Sequence, residues 1–105
     1  MTTELDRKTQ SRTNFDLQSL YDVILDRKEN PQDNSYTNQL FILGEDEIVK
    51  KIGEESIEII LAAKSQGRQR LIEETADLAY HVLVLLALKD ITPMDIQLEL
   101  RRRHS

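Results

Sequence analysis

The run Val82-Leu83-Val84-Leu85-Leu86-Ala87-Leu88 constrains this chain more than any other stretch, because as a helix it is apolar on every side. Such a segment has to be covered all round. It is far shorter than the roughly 20 residues that cross a bilayer, so protein must do the covering. A chain of 105 residues has room for one core and not for two. A small helical monomer covers one face of a central helix well and the opposite face poorly. The run therefore predicts a homodimer in which this helix packs against a second copy as well as against its own core.

Helical periodicity surrounds the run. Leu17, Leu20, Tyr21, Ile24 and Leu25 fall at helical spacing from Phe15 onward, and the pattern stops at Glu29-Asn30-Pro31, where proline disfavours helix in the residue before it. Pro31 to Ser35 is turn chemistry. The segment from Tyr36-Thr37 through Leu40-Phe41-Ile42-Leu43 to Gly44 reads as a loop with a brief helical turn. A second long helix is expected from about Glu45 to Ser65, with acids in its first turn and Gly67 just past its end. Gly53 lies inside it, at a cost of about 0.8–1 kcal/mol relative to alanine; it marks either close approach of a backbone or ligand, or a tolerated weak spot. A third helix spans about Arg68 to Lys89. The last begins with Thr92 as N-cap, Pro93 at its first position and Asp95 at its third, and ends in Arg101-Arg102-Arg103. Residues 1–14 read as a flexible polar leader, and 15–105 as a single all-α, four- to five-helix bundle-like domain. No strand pattern or repeat is present.

Charge and composition remove several functions. With 14 Lys and Arg against 19 Asp and Glu, the net charge of -5 gives no attraction to nucleic acid or an anionic membrane. Only Arg101 to Arg103 form an uninterrupted basic run of three. The absence of cysteine excludes disulfides, thiolate zinc sites and cysteine nucleophiles, so any metal has oxygen or imidazole ligands. The N-terminus lacks the apolar stretch of a signal peptide, and a soluble cytoplasmic protein is expected.

The chemistry concentrates in Lys50-Lys51-Ile52-Gly53-Glu54-Glu55-Ser56-Ile57-Glu58 and Glu73-Glu74-Thr75-Ala76-Asp77. Residues three apart share a helix face, so Glu55 projects with Glu58, and Glu74 with Asp77. At about 100° per residue, each pair borders the apolar stripe of its own helix, and His81 joins the second pair. An antiparallel hairpin through Gln66-Gly67 would bring four carboxylates together. Two carboxylates about 5 Å apart repel by about 3 kcal/mol at an effective dielectric of 20. Oxygen-only ligands of this kind suit Mg²⁺, with Mn²⁺ as a substitute. The competing account is a set of solvated acids paired with Lys50, Lys51, Lys64, Arg68 and Arg70.

Glu54-Glu55-x-x-Glu58 followed by Glu74-x-x-Asp77 resembles the metal motif of the MazG-type all-α nucleoside triphosphate pyrophosphohydrolases. Adding Arg27-Lys28, Pro31, Ser35-Tyr36-Thr37, Lys50-Lys51-x-Gly53-Glu54-Glu55, Glu74-x-Ala76-Asp77-Leu78-x-Tyr80-His81 and Leu83-Val84-Leu85-Leu86, residues 17 to 104 resemble the phosphoribosyl-ATP pyrophosphohydrolase family. The resemblance implies Mg²⁺-dependent hydrolysis of 1-(5-phosphoribosyl)-ATP to 1-(5-phosphoribosyl)-AMP and pyrophosphate, the second step of histidine biosynthesis. It further implies Glu55, Glu58, Glu74 and Asp77 as metal ligands, with Glu54 ligating or orienting a water. Lys51, Arg27 and Lys28 are then candidates for phosphate contact. Ser35, Tyr36 and Thr37 could offer hydroxyls or a stacking ring, and His81 a contact to phosphate or to a ligand. Tyr80 reads as packing. In many organisms this activity is fused to a cyclohydrolase with cysteine ligands; lacking cysteine, this chain is expected to hand its product to a separate one. Two other readings keep some of these features: a house-cleaning pyrophosphohydrolase of other nucleotides, and a non-catalytic helical dimerisation module.

Overall fold

The computed structural model describes residues 15–104, and the expected leader at 1–14 lies outside them. Five α-helices follow in order: α1 (Leu17–Glu29), α2 (Tyr36–Leu43), α3 (Glu45–Leu61), α4 (Arg68–Leu88) and α5 (Pro93–Arg103). The described residues contain no strand. The all-α expectation holds, with one correction. The segment read as a loop with a brief turn is an eight-residue helix, α2. Its N-cap explains why: Ser35 Oγ accepts a hydrogen bond from the Asn38 backbone N–H at 3.2 Å, removing one of the orphan donors of a short helix. Gly44, at φ +93°, then ends α2 and starts α3 in a single residue. That positive φ is the left-handed conformation that favours glycine.

The α3–α4 pair is the spine of the molecule. α3 runs into a π-helical turn, Ala62–Gln66, and Gly67 at φ +89° reverses the chain into α4. At the open end of this hairpin, Lys89 pairs with Glu45. Gly53 has open space where its Cβ would lie, with nothing within 4 Å, so among the described residues no neighbouring backbone approaches it closely.

α1 and α2 close the core over one face of the hairpin. Tyr21 and Ile24 from α1, Leu40 from α2, Ile48 from α3, and Leu83, Val84 and Ala87 from α4 form one buried cluster. Two ties hold α1 in place. Tyr21 donates its hydroxyl to the Ile91 carbonyl at 2.7 Å, and Lys28 Nζ donates to the Ala87 carbonyl at 2.9 Å and to Asp90 at 3.0 Å. Lys28 thus satisfies a carbonyl at the negative end of α4, as a cation near a helix C-terminus does. α5 opens with a capping box between Thr92 and Asp95 and Pro93 in its first turn and contributes no buried residue. Among the described residues no helix is long and apolar enough to cross a membrane.

Asn38 joins α2 to the end of α1. It is 7% exposed; its Nδ2 donates to the Arg27 carbonyl at 2.6 Å and its Oδ1 accepts from the Gln32 N–H at 2.8 Å. Asn38→Ala strands both backbone groups, and an unsatisfied group of this kind costs about 1–3 kcal/mol. Urea denaturation should show a loss in that range; a loss under about 0.5 kcal/mol would mean that water replaces both bonds without penalty.

Candidate metal centre

The hairpin sets Glu55 on α3 against Glu74 and Asp77 on α4, and one carboxylate oxygen from each lies within 4.8 Å of the other two. Glu74 is 6% exposed, Glu55 is half-buried and Asp77 faces solvent. The trio therefore sits where core meets water. Burial raises the Glu55 carboxyl above its ordinary value, and the hydrogen bond to Glu74 and the charges of Asp77 and Glu74 push it the same way. Lys51 pulls in the opposite direction and is too little to cancel them. Three hard oxygen donors with a surplus of negative charge fit Mg²⁺ or Mn²⁺ by donor type.

Arg70 lies one turn before Glu74 on α4. Its guanidinium bridges Glu73, at 2.6 Å, and Glu74, and it holds the Glu73 carboxyl below its usual value. Glu58 is half-buried on α3 but outside the trio, and Glu54 is exposed. Both stay on the helix that carries Glu55 without joining the three-way approach.

His81, 6% exposed, completes the inner side. Its Nδ1 lies 2.9 Å from the Asp77 carbonyl, which can only accept, so Nδ1 carries a hydrogen. In the neutral ring Nε2 is then an acceptor, and the Tyr36 hydroxyl donates to it at 3.2 Å. Glu55 Oε1 is 3.9 Å from Nδ1. Ser35 caps α2, Tyr36 holds His81, and Thr37 Oγ1 pairs with the Tyr80 hydroxyl. Tyr80, read from the sequence as packing, stacks on Tyr36 with centroids 6.1 Å apart and planes at 27°. Tyr80 also packs against the core, as read, and on the α4 wheel it lies about 60° from Asp77. Burial raises the Tyr80 phenol, which stays neutral. Arg27 contacts Asp26 at 3.0 Å, and Lys28 serves the end of α4, so the two basic residues of α1 have protein partners. Lys51 is half-buried beside Glu55.

Residues 17–104 match the family model described as phosphoribosyl-ATP pyrophosphohydrolase. The chain belongs to that family. A protein named phosphoribosyl-ATP pyrophosphatase from Geotalea daltonii is 53% identical over 87 residues, covering 83% of this chain and 82% of its own. Proteins of the same name from Geobacter sulfurreducens (53% identical, 83% of this chain, 81% of its own) and Clostridium novyi (51%, 83% and 79%) are similarly related. The matched region spans all five helices and the whole acidic trio.

The electrostatics of Glu55 have a measurable consequence. Its carboxyl is raised above 4.5 in the folded chain, so the metal-free fold loses stability as pH rises through that raised value. Glu55→Gln removes the charge. Without metal, the variant should melt a few degrees above the wild type at about pH 8 and close to it at about pH 4, and Mg²⁺ should raise the wild-type Tm by much more than the variant's. A variant less stable than the wild type at both pH values would show that Glu55 is held by favourable contacts rather than crowded by like charge.

Proposed function

We propose that this chain hydrolyses 1-(5-phosphoribosyl)-ATP to 1-(5-phosphoribosyl)-AMP and pyrophosphate, the second step of histidine biosynthesis, with Mg²⁺ at the acidic trio. The observation that carries the reading is the approach of Glu55, Glu74 and Asp77 within 4.8 Å in a chain of this family. Glu55, Glu74 and Asp77 hold the ion, with Glu58 joining as a fourth ligand and Glu54 orienting a water. Bound there, a divalent cation neutralises triphosphate oxygens and acidifies a water. The reaction adds the oxygen of water to phosphorus and breaks one phosphoanhydride bond; a carboxylate of the cluster accepts the proton. His81, held at both ring nitrogens, keeps one orientation beside Glu55. Lys51 lies near enough to Glu55 to meet phosphate charge, and Arg27 and Lys28 would have to exchange protein partners to do so. Ser35, Tyr36 and Thr37 border the site on the α2 side. The product passes to a separate cyclohydrolase in the cytoplasm.

We also propose a homodimer. Of the apolar run, Leu83, Val84 and Ala87 are buried, whereas Val82, Leu85, Leu86 and Leu88 are only half-buried. A groove of about 590 Å³ runs along the outer side of α4, lined by Leu17, Leu78, Val82, Leu86, Ile96 and Leu100. By the helical wheel its α4 residues Leu78, Val82 and Leu86 centre about 145° from the core face formed by Leu83, Val84 and Ala87. A second copy seated there supplies the missing cover.

The activity is tested by pyrophosphate release from phosphoribosyl-ATP, ATP and dUTP, with and without Mg²⁺. Turnover should be confined to phosphoribosyl-ATP, vanish with chelator, and fall by about 100-fold or more in Glu55→Gln. Turnover of ATP or dUTP alone would replace the biosynthetic reading with a house-cleaning one. For the dimer, sedimentation should find Val82→Glu monomeric and Ile57→Glu, on the exposed side of α3, still dimeric; the reverse pattern would move the interface to α3.

A further inference from the structure

The three hydroxyls of Ser35-Tyr36-Thr37 are all committed within the chain. Ser35 caps α2, Tyr36 donates to His81 Nε2 and Thr37 pairs with Tyr80. What the segment still presents is Tyr36, a residue that is 47% exposed overall. One side of its ring lies against Tyr80 at 6.1 Å and 27°, and its edge meets His81 at 6.1 Å and 87°. The ring face turned away from Tyr80 is the one left for a further stacking partner. Tyr80 is itself held twice, by Thr37 at its hydroxyl and by a T-shaped contact with His81, with centroids 5.1 Å apart at 77°. The result is an aromatic plate backed by a second ring and pinned at its hydroxyl, one imidazole away from Glu55 Oε1, which is 3.9 Å from His81 Nδ1.

We propose that the outer face of Tyr36 is a stacking platform for the base of the nucleotide, and that Tyr80 is the positioning residue that keeps it flat and in place. The inference rests on the reading of the acidic trio as a nucleotide phosphate site. A plate at that distance suits the planar end of a ligand whose phosphates reach the trio. Every base has a π-face, so such a platform recognises a base by shape and polarizability rather than by hydrogen bonds. Pre-organisation is the role of Tyr80: a lone exposed tyrosine would have to be ordered as it stacked, whereas a backed and pinned one is ordered already.

Two probes separate the platform from the phosphate site: AMP, which brings base and phosphate, and inorganic pyrophosphate, which brings phosphate alone. Isothermal titration with Mg²⁺ present would compare the wild type with Tyr36→Leu, Tyr80→Leu, Tyr80→Phe, Thr37→Val and the Tyr80→Phe/Thr37→Val double variant, each first checked for a helical spectrum and a cooperative melt. Tyr36→Leu and Tyr80→Leu should weaken AMP by about tenfold, the scale of one base on one ring, and leave pyrophosphate unchanged. Tyr80→Phe keeps the backing ring and loses only the link to Thr37. It should show a smaller loss, equal to that of Thr37→Val and of the double variant, because all three remove the same bond.

A loss shared equally by both probes would overturn the platform in favour of general damage to the site, and unchanged AMP affinity in Tyr36→Leu would overturn it outright. Should Tyr80→Leu fail to fold, the Phe and Val variants decide the role of Tyr80, additive losses counting against it. Binding is read without turnover. A wild type that shows the AMP pattern but releases no pyrophosphate from phosphoribosyl-ATP sinks the proposed activity and keeps the platform; turnover with AMP affinity untouched by Tyr36→Leu does the opposite.

Discussion

Three carboxylates held within 4.8 Å of one another repel, at an effective dielectric of 20, by about 3 kcal/mol per ionised pair, and the rest of the structure is arranged to withstand that repulsion. The α3–α4 hairpin brings Glu55 to Glu74 and Asp77 because Ile48 on α3 and Leu83, Val84 and Ala87 on α4 belong to one buried core. Apolar burial in that core is the opposing force. Burial and its acidic neighbours together raise the carboxyl of Glu55, and Arg70 holds Glu74 in an ion pair. Crowding like charges at one site is a common arrangement where function and stability compete.

Around this centre the polar side chains divide between structure and chemistry. Asn38 and Lys28 spend their hydrogen bonds on backbone groups at helix ends, and so fix where α2 and α1 lie relative to α4. Tyr36 and Thr37 reach across from α2 to His81 and Tyr80 on α4. α2 is thereby clamped to the hairpin on the side that carries the acids, and the geometry of the site depends on a helix only eight residues long.

Much of this could be read along the chain. The four longer helices were legible from periodicity and from Pro31, Gly44, Gly67 and the Thr92-Pro93 start, because caps and breakers act within a few residues. α2 was missed for a physical reason. Its eight residues are too few to show a period, and its stability comes from the Ser35 cap and from burial of Leu40 and Asn38, neither of which is a repeat in sequence. The candidate acids were legible from spacing three on one helix face, yet spacing alone treats Glu55–Glu58 and Glu74–Asp77 alike. Only the packing of α3 on α4 brings Glu55, Glu74 and Asp77 together while Glu58 stays outside the trio. Tyr80 does pack against the core, as read, but a wheel drawn for one helix does not show that α2 places Tyr36 and Thr37 opposite it.

The sequence by itself determined the helical class, the helix ends set by local caps and breakers, the acidic faces, and the family to which residues 17–104 belong. These depend on interactions between residues a few positions apart, or on a motif read in order. The tertiary structure alone decided which carboxylates meet, that Lys28 is turned to the end of α4, that the hydroxyls of Ser35, Tyr36 and Thr37 are already bonded, and that Tyr36 rests on Tyr80. Except for the local Ser35 cap and the Glu74–Asp77 pair on one turn of α4, these are contacts between residues more than 15 positions apart in the chain. Their geometry is fixed by the register and crossing of packed helices, and no local preference of a single segment encodes that.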